Sequence, residues 1–147
     1  MNRPTPPLNV LLIEDEALIV MDMQCAIEDA GHCVMGDVAS VGQLSALDLP
    51  QHPDIAFIDL NLAEGSNGLD ACNLVKQRWS DTYVVFVTAN PKRIPVDFEG
   101  SHGVIAKPFT YSGLMQTIRY LSEGICAPPP NSSKPPNFVA FGNFGSA

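Results

Sequence analysis

Short, continuously apolar runs alternate along the chain with longer stretches in which apolar residues recur every three or four positions. "NVLLIE" (9–14) is long enough for a strand and too short for a helix. From Glu16 to Ala30 the residues Ile19, Met23, Ala26, Ile27 and Ala30 fall at helical spacing, and Gly31 supplies the stop. "HCVMGDVAS" predicts a second strand, interrupted by Gly36, and a weaker helix follows from about Val41 to Leu47, closed by Pro50 and Pro53. "IAFI" (55–58) is a third strand. The loop "NLAEGSNG" then carries two glycines ahead of a helix from about Leu69 to Trp79. "TYVVFVT" and "GVIA" (103–106) predict strands four and five, and between them Pro91 and Pro95 leave room for only a short or distorted helix. The last helix, from about Tyr111 to Glu123, places Leu114, Ile118 and Leu121 on one face.

Strands that alternate with helices require right-handed crossovers and a parallel sheet covered on both sides, which explains why these strands are apolar throughout rather than at every second residue. The predicted fold is α/β: a doubly wound, five-stranded parallel sheet with helices on both faces. In such folds chemistry collects at the carboxyl ends of the strands. A chain of 147 residues fits one domain of this kind. Its expected limits are residues 8–124, with residues 1–7 as a Pro-rich extension. After Gly124 the composition shifts to five prolines and many small polar residues, so residues 125–147 read as a flexible tail without helix or strand period. Within it Phe138, Phe141 and Phe144 recur every third residue, as in a strip that docks on a partner or on the domain itself.

Composition narrows the partners. Eight basic against 16 acidic residues give a net charge of -8, the wrong sign for tracking a nucleic-acid backbone. "MNRPTPPLNV" lacks the apolar core of a secretory signal, and no stretch approaches the ~18–20 apolar residues of a membrane span, so a cytoplasmic protein without membrane insertion is expected. Cys25, Cys33, Cys72 and Cys126 are scattered without a C-x-x-C and are expected to be small core hydrophobes. His32, His52 and His102 lack ligand spacing.

The informative residues sit where strands end. Strand one stops at Glu14 and Asp15, strand three at Asp59, strand four at Thr88 and strand five at Lys107. Singly, each has a plain explanation: acids favour a helix N-terminus, a threonine caps, a lysine is solvated. Together they put three carboxylates, a hydroxyl and an amine on one rim. Crowded carboxylates either retain a proton or recruit a cation. Mg²⁺ suits an open oxygen site, with Asp15 and Asp59 binding directly, Glu14 mainly through water, and the backbone carbonyl of Asn61 completing the protein ligands. With metal and Lys107 offsetting its charge, Asp59 becomes a nucleophile for phosphorus, and Thr88 donates a hydrogen bond to a phosphoryl oxygen.

"LLIEDE", "FIDLNL", "FVTAN" and "IAKPF", in that order on successive strands, resemble the receiver domain of two-component response regulators over about residues 8 to 123. The resemblance implies a flavodoxin-like receiver fold. It also implies Mg²⁺-dependent phosphotransfer to Asp59 from a sensor histidine kinase or histidine phosphotransfer protein, with Thr88 and Lys107 contacting the phosphoryl group. A population shift of the face built by the fourth helix, fifth strand and last helix would then carry the signal. The usual aromatic switch position, three residues before the lysine, is Val104, and the segment between Thr88 and Lys107 is shorter than usual and holds Pro95, which argues against an aromatic flip. Leu62-Ala63 replaces a common Met-Pro, the loop "EGSNG" follows, and Phe86-Val87-Thr88 is similar to the F-x-T of receivers in alphaproteobacterial signalling. By family analogy Asn61 and Asn90 tune hydrolysis of the acyl-phosphate.

With no effector domain expected after the last helix, the implied protein is a single-domain regulator, not an enzyme beyond its own phosphoryl transfer and dephosphorylation. It would act through contacts with an unknown downstream protein. The alternative is a phosphorylation-independent scaffold that binds partners through the receiver fold and tail. A phosphatase with an aspartyl nucleophile needs a second acid two residues on, where Asn61 stands. Nucleotide-binding glycine loops follow none of the strands.

Overall fold

The computed structural model describes residues 5–94, 100–141 and 144. In chain order these form β1 (Asn9–Ile13), α1 (Ala17–Asp29), β2 (Cys33–Val38), α2 (Val41–Ala46), β3 (Ile55–Ile58), α3 (Gly68–Arg78), β4 (Tyr83–Thr88), β5 (Gly103–Ala106), α4 (Tyr111–Cys126) and β6 (Phe138–Ala140). Helix starts are set by side chains that accept orphan amide protons: Ser40 from Gln43, Asn67 from Leu69 and Thr110 from Gly113. Helix α1 ends as anticipated, with Gly31 at φ 89° donating its N–H to Glu28 and His32 donating to Ile27.

The sheet order is β2-β1-β3-β4-β5-β6, parallel from β2 through β5. Successive side chains of a strand point to opposite faces, and both faces are covered. On one side Val10, Leu12, Phe57, Val85, Val87 and Ile105 pack against Met23, Ala26 and Ile27 of α1 and Leu114, Ile118 and Leu121 of α4. On the other, Leu11, Ile13, Ala56, Ile58, Val84 and Phe86 pack against Leu44 of α2 and Ala71, Cys72 and Val75 of α3. This is the doubly wound arrangement that the apolar runs predicted.

Two features differ from expectation, and the segment between β4 and β5 keeps to it. The five parallel strands are joined by a sixth, β6, antiparallel to β5 and drawn from the segment read as a flexible tail. Phe138 is 1% exposed, so this part of the segment is held by the domain's own core. Its ring fits because residue 103 is a glycine: a Cβ there would lie 2.5 Å from the Phe138 ring. Between β4 and β5 the described residues form only a 3-10 turn at Pro91–Arg93, and Pro95 lies outside the described residues. Finally, only Cys72 is buried. Cys25, Cys33 and Cys126 are exposed, so the core role expected of them does not hold.

Candidate functional site

Register brings the distant residues to one rim. Ile13 pairs with Ile58, Ile58 with Phe86, and Thr88 with Ala106, so β1, β3, β4 and β5 end at nearly the same level. The ladder continues one residue further into the site, since Asp59 N–H donates to Ile13 O at 2.9 Å and Lys107 N–H donates to Thr88 O at 2.9 Å. The side chains that follow are therefore aimed by fixed backbone. Gly68, which opens α3, packs so closely on Asp59 that a Cβ would collide with the Asp59 carbonyl oxygen and the Leu60 Cα.

Lys107 is the centre of the arrangement. Its Nζ lies 2.7 Å from Glu14 Oε1, 3.1 Å from Asp59 Oδ2 and 3.3 Å from Glu16 Oε1. Glu14 and Asp59 are buried, whereas Asp15 and Glu16 face solvent. The other oxygen of Glu14 accepts the backbone N–H groups of Asp15 and Glu16 at 3.0 and 3.3 Å, so this carboxylate also anchors the entry to α1. Burial, reinforced by Asp59 and opposed by Lys107, pushes the Glu14 carboxyl up to about 7. Burial alone would lower Lys107, but hydrogen bonds and charge from Glu14 and Asp59 outweigh it and leave the ammonium raised.

One carboxylate oxygen from each of Glu14, Asp15, Glu16 and Asp59 lies within 4.8 Å of the others. Four carboxyl groups against one ammonium leave the rim short of positive charge, and a proton held on Glu14 near neutrality is the response in the absence of a cation. An all-oxygen donor set of this kind fits a hard divalent ion. Asn61 N–H donates to Asp59 Oδ1 at 3.3 Å. The bridge between Asn61 and Asn67 is closed by Gly68 N–H to Leu60 O and Leu62 N–H to Ser66 O. It therefore consumes neither backbone group of Asn61, and the carbonyl remains available as a ligand.

Thr88 is fully buried and its hydroxyl oxygen accepts the Asn90 N–H at 3.1 Å, which leaves the hydroxyl proton to be donated elsewhere. Thus Glu14, Asp15, Asp59 and Lys107 meet around one point, with Asn61 hydrogen-bonded to Asp59 and Thr88 on the adjoining strand end. Val104 is buried in the α2/α3 core. Two residues escaped the sequence reading. Glu16 joins the rim, although in "EDE" it passes for a helix-start acid. Arg93 reaches across from the 3-10 turn to donate to Asn61 Oδ1 at 3.4 Å. No sequence signal marks Arg93, because the contact depends on how the turn after β4 folds.

Comparison with known proteins agrees with this geometry. The family model described as response regulator receiver domain matches residues 10–119. The chain is 35% identical over 111 residues to the phyllosphere-induced regulator PhyR of Methylorubrum extorquens, covering 74% of this chain and 41% of that protein. Among solved structures it is similar to the REC domain of the Erythrobacter litoralis PhyR response regulator, at TM-score 0.69 and 31% identity over 84% of this chain and 95% of that one. It is also similar to the anti-anti-sigma factor PhyR of Bartonella quintana, at TM-score 0.60 and 31% identity over 75% of this chain and 44% of that one. The chain thus spans less than half the length of the Methylorubrum and Bartonella proteins. On the match across residues 10–119 and its likeness to these PhyR proteins, the chain belongs to the response regulator receiver domain family.

Proposed function

We propose that this receiver accepts a phosphoryl group on Asp59 from a sensor histidine kinase or histidine phosphotransfer protein and signals through protein contacts. The observation that carries the reading is Lys107 Nζ at 3.1 Å from Asp59 Oδ2 beside the buried carboxylate of Glu14. In the transfer, the P–N bond of a phosphohistidine breaks as an O–P bond forms to Asp59, and the imidazole leaves as a base that takes a proton from solvent. Lys107 offsets the charge of the acyl-phosphate, and the Thr88 hydroxyl donates to one of its oxygens. Asp15, Asp59 and the Asn61 carbonyl would hold Mg²⁺, with Glu14 acting through water. When bound, the ion neutralises phosphoryl oxygens during the in-line displacement.

A donor protein needs a foothold near this rim. Leu18 and Met21, 75% and 61% exposed, stand three residues apart on α1 just beyond the acids and present an apolar docking face. No helix among the described residues is long and apolar enough to cross a membrane. Its chemistry stays confined to its own phosphorylation and dephosphorylation, since Asn61 stands where a second catalytic acid would be needed for turnover of external esters. The test is intact mass after incubation with acetyl phosphate and Mg²⁺. Wild type should gain about 80 daltons, one phosphoryl group, and Asp59→Asn should gain nothing. An equal gain in both, or none in wild type with either acetyl phosphate or purified kinases, overturns the reading.

The likeness to the anti-anti-sigma factor of Bartonella quintana favours a second reading, in which the domain serves as a scaffold that binds a regulatory protein without phosphate. Partner binding that is equal in Asp59→Asn and phosphorylated wild type would select it.

A further inference from the structure

The β5 edge is closed by the chain's own later segment, and the closure has the form of a lock built for one strand. Ala106 N–H donates to Asn137 O at 3.1 Å and Phe141 N–H donates to His102 O at 3.0 Å, bracketing the pairs Gly103–Ala140, Val104–Val139 and Ile105–Phe138. This register makes Val104 and Val139 the pair that exchanges both backbone hydrogen bonds. Gly103 leaves space for the Phe138 ring, and a Cβ on Gly124 would lie 2.8 Å from Phe144. Phe138 and Phe144 stack edge-on at 6.1 Å, with Tyr120 at 5.7 and 6.2 Å from them. Upstream, the nearly buried Glu123 carboxylate accepts from both the N–H and the hydroxyl of Ser132, which fixes where the segment leaves α4.

The lock touches the site. Ala106, whose N–H forms the last bond of the β5–β6 ladder, immediately precedes Lys107, whose ammonium holds Asp59. A phosphoryl group on Asp59 forces Lys107 to find new oxygen partners. The adjoining loop has room to follow, because a cleft of about 440 Å³ lies between Phe109, Thr110 and Gly113 on one side and Pro136 and Asn137 on the other. Strand β6 is only three residues long and Val139 is half exposed, so release breaks a short ladder and uncovers one core side chain, Phe138.

We propose that residues 135–141 are a displaceable strand, released from the β5 edge when Asp59 is phosphorylated. The vacated edge then accepts an extended segment of a partner protein, antiparallel to β5 and with an aromatic side chain at the position paired with Ile105, its ring lying over Gly103. The trigger rests on the phosphoacceptor reading above.

Hydrogen exchange in the full chain, with and without acetyl phosphate and Mg²⁺, tests the release, with phosphoryl occupancy read by intact mass in the same sample. Exchange at residues 103–106 and 137–141 is expected to rise by ~10-fold or more on phosphorylation. A mass gain with unchanged exchange overturns the release and leaves phosphorylation standing. Absence of a mass gain removes the trigger along with the phosphoacceptor reading. The acceptor edge is tested separately with a labelled peptide of residues 134–141, KPPNFVAF. It should bind full-length Val139→Pro, which loses the donor to Val104 without touching the core, at least ~10-fold more tightly than unmodified wild type. Equal binding to both means that the edge is not a strand acceptor.

Discussion

Glu14 is both an anchor for α1 and the most perturbed acid of the rim. Its carboxyl is raised from 4.5 to about 7, so the native protein without a cation holds a proton that the unfolded chain releases. The corresponding stability is fully present below about pH 4.5 and is lost as pH rises through 7. A divalent ion held by these carboxylates would displace that proton. The increase in Tm on adding saturating Mg²⁺ should therefore grow between about pH 5 and 8 and become flatter in Glu14→Gln. A Mg²⁺ effect that is independent of pH in wild type would contradict this coupling. Gly68 sets a different constraint, because the atoms that a new Cβ would strike are backbone and cannot swing aside. Gly68→Ala should cost at least about 1–3 kcal/mol in urea unfolding and lower the rate of phosphorylation as Asp59 is pushed out of line. The acids at the strand ends were legible because an apolar run that stops on a carboxylate breaks its own burial rule. Glu16 and Arg93 were not, since exposed charges carry no such contradiction.

At the scale of elements, β1, β3, β4 and β5 were readable because a strand buried on both faces must be apolar throughout, and little else in a chain looks like that. Strand β6 offers no such run. "FVA" is three residues between an asparagine and a phenylalanine, and its partner strand lies some thirty residues upstream. Only the three-residue spacing of Phe138, Phe141 and Phe144 hinted at docking, and the host for Phe138 is a vacancy at Gly103 that exists only once β5 is in place. This difference has an energetic consequence. Truncating a phenylalanine in a closed core costs about 3–5 kcal/mol, but a residue on a separable segment costs no more than that segment's docking free energy, because the segment can simply detach. Of the three residues of β6 only Phe138 is buried, so the docking free energy gathers on that ring and on a three-residue ladder. Phe138→Ala should therefore lower the unfolding free energy by less than half as much as Phe86→Ala in β4. Equal losses would mean that β6 is as integral to the fold as β4.

In the molecule as a whole, one sheet is shared by two apolar layers. Strands β1, β3 and β4 contribute alternate residues to both, Leu12 and Val85 to the α1/α4 side and Leu11 and Val84 to the α2/α3 side. Neither layer can dissolve without stripping the strands on which the other is built, so unfolding should be a single cooperative transition. Trp79 packs on the α2/α3 side and provides a local reporter there. Leu44 and Leu114 are fully buried in opposite layers, and truncating each to alanine should cost about 2–5 kcal/mol. Because the sheet separates them into different apolar layers, the losses should add to within about 0.5 kcal/mol in the double variant, provided it still folds. Leu114→Ala should also shift the Trp79 fluorescence transition as far as it shifts the far-UV circular dichroism transition, although α4 lies across the sheet from Trp79. A tryptophan signal that holds to higher denaturant than the dichroism in that variant would show the two layers melting apart, and with them the rigid rim that aims Asp59 at Lys107.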